Sequence, residues 1–223
     1  MVTVITIDGP AGAGKSTIAK ELARRLKFAY VDTGAMYRAL TLKALEKKTK
    51  LENEKELIDL ARATTIDLQQ KEDRLHVLLD GQDVSDKIRS TEVTNNTFYI
   101  ARVAGIREIM VEWQRRTGSK TNIVVEGRDV GTVVFPHASR KFYLDADFEE
   151  RCRRRIQELK AKGENLDESA LKLELKERDQ KDITRKVGPL KKAEDAIVID
   201  STFLSIPQVV EKMLKYIHVE KER

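Results

Sequence analysis

The 223-residue sequence has a single cysteine, Cys152, so the chain cannot form an internal disulfide. This scarcity favours a reducing compartment, and we expect a cytoplasmic protein. Three histidines and one cysteine show no metal-ligand spacing, which argues against a structural zinc site. No stretch approaches the ~18 consecutive apolar residues of a membrane-spanning helix. The start, MVTVITIDG, also lacks the basic region of a signal peptide, so we expect no membrane association.

Aromatic residues are also scarce, at 5% of the chain, whereas charged residues reach 35%. The 42 Lys and Arg exceed the 37 Asp and Glu by five. This excess fits either a solvated surface or a basic cluster that meets an anion. Proteins that bind single-stranded nucleic acid usually stack bases on aromatic rings. We therefore expect no polymeric nucleic acid as a partner.

Short apolar segments alternate with segments of helical periodicity, which is typical of a parallel sheet covered by helices on both faces. The pattern predicts an α/β fold with five parallel strands. The strands are predicted at 2–7, 28–31, 123–125, 141–144 and 196–199. Helices are predicted at 15–26, 35–47, 147–160 and 167–184, with a last one capped by Ser205.

Two regions interrupt this alternation. Residues 64–68, 75–79 and 82–84 predict a small antiparallel meander whose turn is Asp80-Gly81. Three short strands cannot build a core alone, so an insertion on the main domain is expected. The polar segment 161–167 separates two arginine-rich helices, and we expect a mobile connection there.

The strongest motif is G-x-x-x-x-G-K-S/T, between an apolar strand and a helix. Its residues are Gly9, Pro10, Ala11, Gly12, Ala13, Gly14, Lys15, Ser16 and Thr17. Glycines let backbone N–H groups turn around a phosphate, and the helix N-terminus adds partial positive charge. Lys15 is expected on the β- and γ-phosphates and the Ser16 hydroxyl on Mg²⁺. The loop therefore predicts binding of a nucleoside triphosphate with magnesium.

Two other uses of this loop are disfavoured. A guanine-specific GTPase would carry N-K-x-D, which the sequence lacks. A motor ATPase would carry acidic residues directly after an apolar strand. Glu126, after Val124-Val125, matches that feature only weakly, although it is placed to approach the metal through water.

Arginine and aspartate accumulate where the strands or helices end. The three segments are 32–38, 126–131 and 177–185. Because parallel strands place their carboxyl ends along one crevice, these side chains are expected to face one ligand. On a continuous helix Arg178, Asp182 and Arg185 share a face, where guanidinium groups suit phosphate and a carboxylate suits sugar hydroxyls.

These motifs resemble those of the bacterial cytidylate kinases, a family of P-loop nucleoside monophosphate kinases. The resemblance rests on I-D-G-P-A-G-A-G-K-S-T, D-T-G-A-M-Y-R, E-G-R-D-V-G-T-V-V-F-P, E-R-D-x-x-D-x-x-R and D-S-T-x-L-S. They run in the family's order from residue 5 to about 210. The resemblance implies transfer of the γ-phosphate of ATP to CMP or dCMP.

The resemblance also implies a role for each matched residue. The catalytic cations would be Lys15, Arg128 and Arg185, and the lid arginines Arg154 and Arg155 would join the phosphate loop in binding ATP. The CMP site would contain Asp32, Tyr37, Arg38, Arg107, Arg128, Asp129, Arg178, Asp182 and Arg185. We expect one monomeric domain, with a core at 1–63, 86–149 and 168–223, an insertion at 64–85 and a lid at 150–167.

The implied base readers suit cytosine chemically. Asp129 would accept from the N4 amino group, and Arg107 would donate to N3 or O2. Uracil has a carbonyl instead of the amino group and would meet a repulsive contact. One departure concerns Phe98, which stands where the family usually has a serine near the base, so one hydrogen bond to the base is in question.

Two alternatives stay open. Another small-molecule P-loop kinase, such as one acting on shikimate, would share the fold and the loop but need different acceptor contacts. A nucleic-acid-dependent ATPase is suggested by the sequence pI of about 9.1 and would show a steep salt dependence of binding to polynucleotide.

Overall fold

The computed structural model describes residues 2–71, 74–161, 163 and 167–218. The strands in this part are β1 (Val4–Asp8), β2 (Ala29–Asp32), β3 (Ile66–Lys71), β4 (Arg74–Leu79), β5 (Gln82–Asp83), β6 (Ile123–Gly127), β7 (Arg140–Asp145) and β8 (Ile197–Asp200). The helices are α1 (Lys15–Leu26), α2 (Thr33–Glu46), α3 (Glu54–Arg62), α4 (Thr91–Ala101), α5 (Ala104–Gly118), α6 (Phe148–Ala161), α7 (Glu168–Thr184) and α8 (Ile206–His218).

Five strands form a parallel sheet in the order β2-β6-β1-β7-β8. The predicted fold class is therefore confirmed. Asp8 is in register with Gly127, and Asp32 with Glu126. The carboxyl ends of β1, β2 and β6 consequently meet at one edge of the sheet.

Alternating side chains of the sheet pack into separate cores. Val124 of β6 belongs to a cluster that includes Leu22 of α1 and Met213 of α8. Its neighbours Ile123 and Val125 belong to another cluster, with Val31 among its members. Helices on both faces leave the carboxyl ends of the strands as the place for a site. No helix in the described ranges is long and apolar enough to cross a membrane.

The predicted antiparallel insertion is confirmed, with strand order β3-β4-β5. Asp80 and Gly81 both have positive φ, 49° and 84°, as a tight hairpin turn requires. Val77 and Leu79 of this sheet pack against Ala35 and Ala39 of α2. The insertion therefore completes its core on the main domain, as its short strands lead one to expect.

The end of α7 differs from the prediction. The helix ends at Thr184, and Arg185 has extended backbone with φ −62° and ψ 139°. The chain folds back there, and the Leu190 amide donates to the Asp182 carbonyl at 2.8 Å. The prediction that Arg178, Asp182 and Arg185 share one helical face is thus wrong for Arg185. Of the connection predicted at 161–167, positions 162 and 164–166 lie outside the described residues.

Candidate active site

A cleft of about 1980 Å³ opens at the carboxyl edge of the sheet. Pockets for one small ligand commonly measure about 300–1,000 Å³, so this cleft has room for two nucleotides. Among the described residues, thirteen Lys and Arg line it against seven Asp and Glu. This local excess of six exceeds the +5 of the whole chain, so the basic character is concentrated where two anions would meet.

The phosphate loop has the backbone that its glycines permit. Gly9, Gly12 and Gly14 have positive φ values of 154°, 77° and 89°. A Cβ on Gly9 would lie 2.0 Å from the Leu144 carbonyl oxygen, so only glycine fits there. Helix α1 begins directly afterwards at Lys15 and directs its N-terminus at the loop.

Lys15 is buried and its Nζ donates to the Pro10 carbonyl at 2.7 Å. Burial, followed by repulsion from the Arg128 guanidinium, lowers the pKa of Lys15 to about 7. The negative charge around Lys15 is therefore too small to hold its proton at the ordinary pKa.

An ion pair from the two charged helices holds the loop at Ala11. Arg151 of α6 donates to the Ala11 carbonyl at 2.9 Å and to Asp179 of α7 at 2.5 Å. Asp179 in turn accepts from the Ala11 amide at 3.1 Å. The position of α6 and α7 is thus tied to the shape of the phosphate loop.

The predicted lid arginines also line the cleft. Arg154 donates to the Ser201 carbonyl at 2.6 Å, and its guanidinium lies near Gly14. Arg155 pairs with Glu158 at 2.8 Å. Both side chains come from α6; Arg154 lies beside the phosphate loop, and Arg155 lines the same cleft.

Oxygen ligands gather beside Ser16. The Ser16 hydroxyl donates to Glu126, which also accepts from the Tyr30 hydroxyl at 3.0 Å. Burial, and then repulsion from Asp32, raises the pKa of Glu126. A hydroxyl with two mutually repelling carboxylates suits a hard divalent cation such as Mg²⁺, whose charge would relieve that repulsion.

Two further ion pairs line the cleft. Arg38 donates to Asp32 at 2.8 Å, and Arg128 donates through Nε to Asp182 at 2.8 Å. Burial opposes ionisation of Asp182, but the Arg128 and Arg178 guanidinium groups hold its pKa below the ordinary value. Burial and the neighbouring Arg128 lower the pKa of Arg178 to about 10. A bound anion would offset the repulsion between these crowded guanidinium groups.

Deeper in the cleft, Asp129 accepts from two guanidinium groups. One is Arg107, which is only 3% exposed, and the other is Arg185 at 3.2 Å. The Tyr37 ring lies 5.6 Å from the Arg107 guanidinium carbon, and burial raises the pKa of its hydroxyl to about 12. An acidic and a basic group are thus buried side by side in the cleft.

The turn that carries Arg128 and Asp129 is held by Asp8. Its carboxylate accepts from the Val130 amide at 2.8 Å and the Gly131 amide at 2.7 Å. Burial outweighs these bonds and raises the pKa of Asp8 to about 6. Asp8 thereby couples the start of the phosphate loop to the acceptor side.

Helix α4 contributes one wall of the acceptor region. Thr94, Thr97 and Ala101 line the cleft, whereas Phe98 does not. The Phe98 ring lies 5.7 Å from both the Arg102 guanidinium carbon and the Lys181 ammonium. A phenyl ring has no hydrogen-bonding group, so Phe98 cannot supply the contact to a base that a serine would offer.

Most of the predicted site residues converge on the cleft, except that Gly9 and Pro10 support the loop from beneath. Sequence reasoning missed Asp8 and Asp179. Asp8 had a signal, because it ends the strand directly before the loop. Asp179 lies within the E-R-D motif, but its contact with Ala11 spans 168 positions and has no local signature.

The parallel sheet, the phosphate loop and the paired anion sites define a P-loop kinase. A family model described as cytidylate kinase matches residues 5–219, and the chain belongs to the cytidylate kinase family.

Two curated relatives agree with this placement, and a solved structure shares the fold. The cytidylate kinase of Desulforamulus reducens is 48% identical over 217 residues, covering 97% of each chain. That of a Geobacillus species is 49% identical over 214 residues, covering 96% of each. An uncharacterized protein from Eubacterium ventriosum shares the fold, with a TM-score of 0.53 at 15% identity over 97% of this chain and 98% of that chain.

Proposed function

We propose that this protein transfers the γ-phosphoryl group of ATP to CMP and dCMP, giving CDP and dCDP, in pyrimidine nucleotide metabolism. The observation that carries the proposal is the buried pair Arg107–Asp129 in the same cleft as the phosphate loop. Asp129 would accept from the cytosine N4 amino group, and Arg107 would donate to N3 or O2. A shikimate acceptor has a carboxylate and hydroxyls but no amino group beside a ring acceptor for this pair to read.

The reaction needs positioning and charge neutralisation more than proton transfer. A monophosphate acceptor is already anionic near neutral pH, so no general base has to create the nucleophile. Lys15, Arg128 and Arg185 would hold the transferring group between donor and acceptor. Arg38 and Arg178 would bind the acceptor phosphate, and Asp182 the sugar. Asp32 caps α2 and orients Arg38.

Magnesium would be held by the Ser16 hydroxyl and the ATP phosphates, with Glu126 facing it. The ion would supply further neutralisation of the phosphates. Residues 150–167 would act as the lid, whose arginines Arg154 and Arg155 contact ATP and help to exclude water, which would otherwise accept the phosphoryl group. We propose a cytoplasmic monomer whose partners are these nucleotides, with no polymeric nucleic acid or membrane.

The substrate is tested by coupled measurement of ADP formation from ATP with CMP, dCMP, UMP, AMP or shikimate in turn. We expect the highest kcat/KM with CMP and dCMP, because cytosine, unlike uracil, offers an amino donor to Asp129 and an acceptor to Arg107. Equal activity with UMP or AMP, or activity with shikimate, would contradict the proposed acceptor.

The lowered pKa of Lys15 predicts that ATP binding takes up a proton. At about pH 8 most Lys15 is neutral in the free protein, and triphosphate charge would raise its pKa and recharge it. Below about pH 6 the lysine is already charged, so ATP binding should cause no proton uptake at Lys15. Calorimetry of ATP binding in buffers of different ionisation enthalpy measures the protons exchanged. Comparison with Lys15→Ala separates the lysine from the nucleotide's own titration, and identical exchange in both proteins would refute this origin.

A further inference from the structure

Phe203 is the most exposed large hydrophobic residue in the described part of the chain. This residue is 96% exposed, compared with 59% for Leu173, the next in rank. It occupies the variable position of the D-S-T-x-L-S segment, between β8 and α8. A lone exposed leucine is ordinary, but a fully exposed aromatic ring inside a cleft leaves a large apolar face without a partner.

The loop that carries Phe203 is firmly held. The Ser201 amide donates to the Asp145 carbonyl at 2.9 Å, and Asp200 accepts from the Thr202 amide at 2.8 Å. Arg154 donates to the Ser201 carbonyl at 2.6 Å, and the Leu204 amide closes a turn on the same carbonyl at 3.2 Å. The exposure of the ring is therefore imposed by an ordered backbone.

This loop also lies against the phosphate loop. The Ser201 hydroxyl is 3.4 Å from the Ala13 carbonyl oxygen, and Phe203 lines the same cleft as Gly12–Thr17. The two residues from Ser201 to Phe203 span at most about 7 Å. Phe203 therefore lies no farther from the phosphate-binding backbone than the length of a nucleoside. Of the acceptor-side pair, Arg107 lies on α5 and Asp129 in the turn after β6, whereas the loop that carries Phe203 contacts the phosphate loop. The ring therefore lies on the donor side.

We propose that Phe203 stacks on the nucleobase of the donor nucleoside triphosphate. The inference deepens the proposed function, on which it rests for the identity of the donor as ATP. Every base has a π-face, so an aromatic platform binds it without needing a set of hydrogen bonds. Leu204, Ile206 and Pro207 line the same end of the cleft and would extend the apolar surface.

The test is calorimetric binding of ATP and of inorganic tripolyphosphate to the wild-type protein and to Phe203→Ala. We expect ATP to bind roughly 5- to 100-fold more weakly to the variant, as for loss of one base–aromatic stack. Tripolyphosphate, which has no base, should bind both proteins equally. Phe203→Trp should restore ATP affinity because it restores the platform. In turnover, KM for ATP should rise while KM for CMP and kcat at saturating ATP stay unchanged.

Tyr216→Ala is the matched control, because this aromatic residue is 43% exposed on α8 outside the cleft. It should leave both affinities unchanged. Unaltered ATP affinity in Phe203→Ala would overturn the proposal, and so would an equal loss of tripolyphosphate affinity, which would indicate a distorted phosphate loop. Because binding is measured without an acceptor, these outcomes do not depend on CMP being phosphorylated.

Discussion

Replacing Lys15 with alanine should lower kcat on the order of 10³-fold, since the variant loses a preorganised cation beside the transferring phosphoryl group. Lys15 is the single lysine of the phosphate loop, and its Nζ is held within 2.7 Å of the Pro10 carbonyl. The charge is costly in the free protein, as the lowered pKa indicates, and becomes favourable only against phosphate. The Lys15 charge therefore contributes favourable interaction energy only when nucleotides are bound.

The same argument predicts that Lys15→Ala remains folded. The folded-state pKa of about 7 lies below the ordinary 10.5, so the lysine opposes folding. That penalty is complete below about pH 7, where the ammonium is charged in both states, and it disappears as the pH rises towards 10.5. Alanine should therefore leave the melting temperature at pH 7 unchanged or higher.

Steady-state kinetics and thermal unfolding of Lys15→Ala check these two expectations together. The control is Lys55→Ala, which removes an exposed lysine of α3 and the same formal charge, and should behave like wild type. A kcat within a few fold of wild type would mean that the loop does not hold the reacting phosphates. A large fall in melting temperature would instead attribute lost activity to unfolding.

The parts of this site that are local in sequence were predictable. The phosphate loop, the turn at Asp80-Gly81 and helix α1 each depend on neighbouring residues whose backbone preferences agree. The five strands were also found, because buried parallel strands are continuous apolar runs bounded by polar residues.

Contacts set by tertiary packing were not predictable. The i+7 spacing puts Arg185 on the same face as Arg178 only if the helix continues through residue 185. The chain leaves α7 at Thr184 because Leu190 returns to bond with Asp182, and Arg185 reaches Asp129 from extended backbone. The contacts of Arg151 and Asp179 with Ala11 join three distant segments, so no periodicity in the sequence predicts them.

Replacing Asp129 should remove the discrimination between CMP and UMP more than it removes ATP binding. In Asp129→Ala, Arg107 would lose its carboxylate partner and Arg185 would keep only Asp182, and a buried charge left unpaired is destabilising. Asp129→Asn keeps the shape and one acceptor oxygen, and so it tests base reading with less risk to folding. Its amide can donate to the uracil O4 carbonyl, which the carboxylate repels.

We therefore expect kcat/KM for CMP to fall by about 10²-fold in Asp129→Asn, through loss of a charge-assisted contact to N4, while the value for UMP rises. KM for ATP should hold steady, because the phosphate loop and the Phe203 loop are untouched. Asp59→Asn, an exposed change on α3, provides the matched control. If the CMP to UMP ratio stays at the wild-type value in both Asp129→Ala and Asp129→Asn, then Asp129 serves only to hold Arg107 and Arg185. Arg107 and the α4 residues that line the cleft would then select the base.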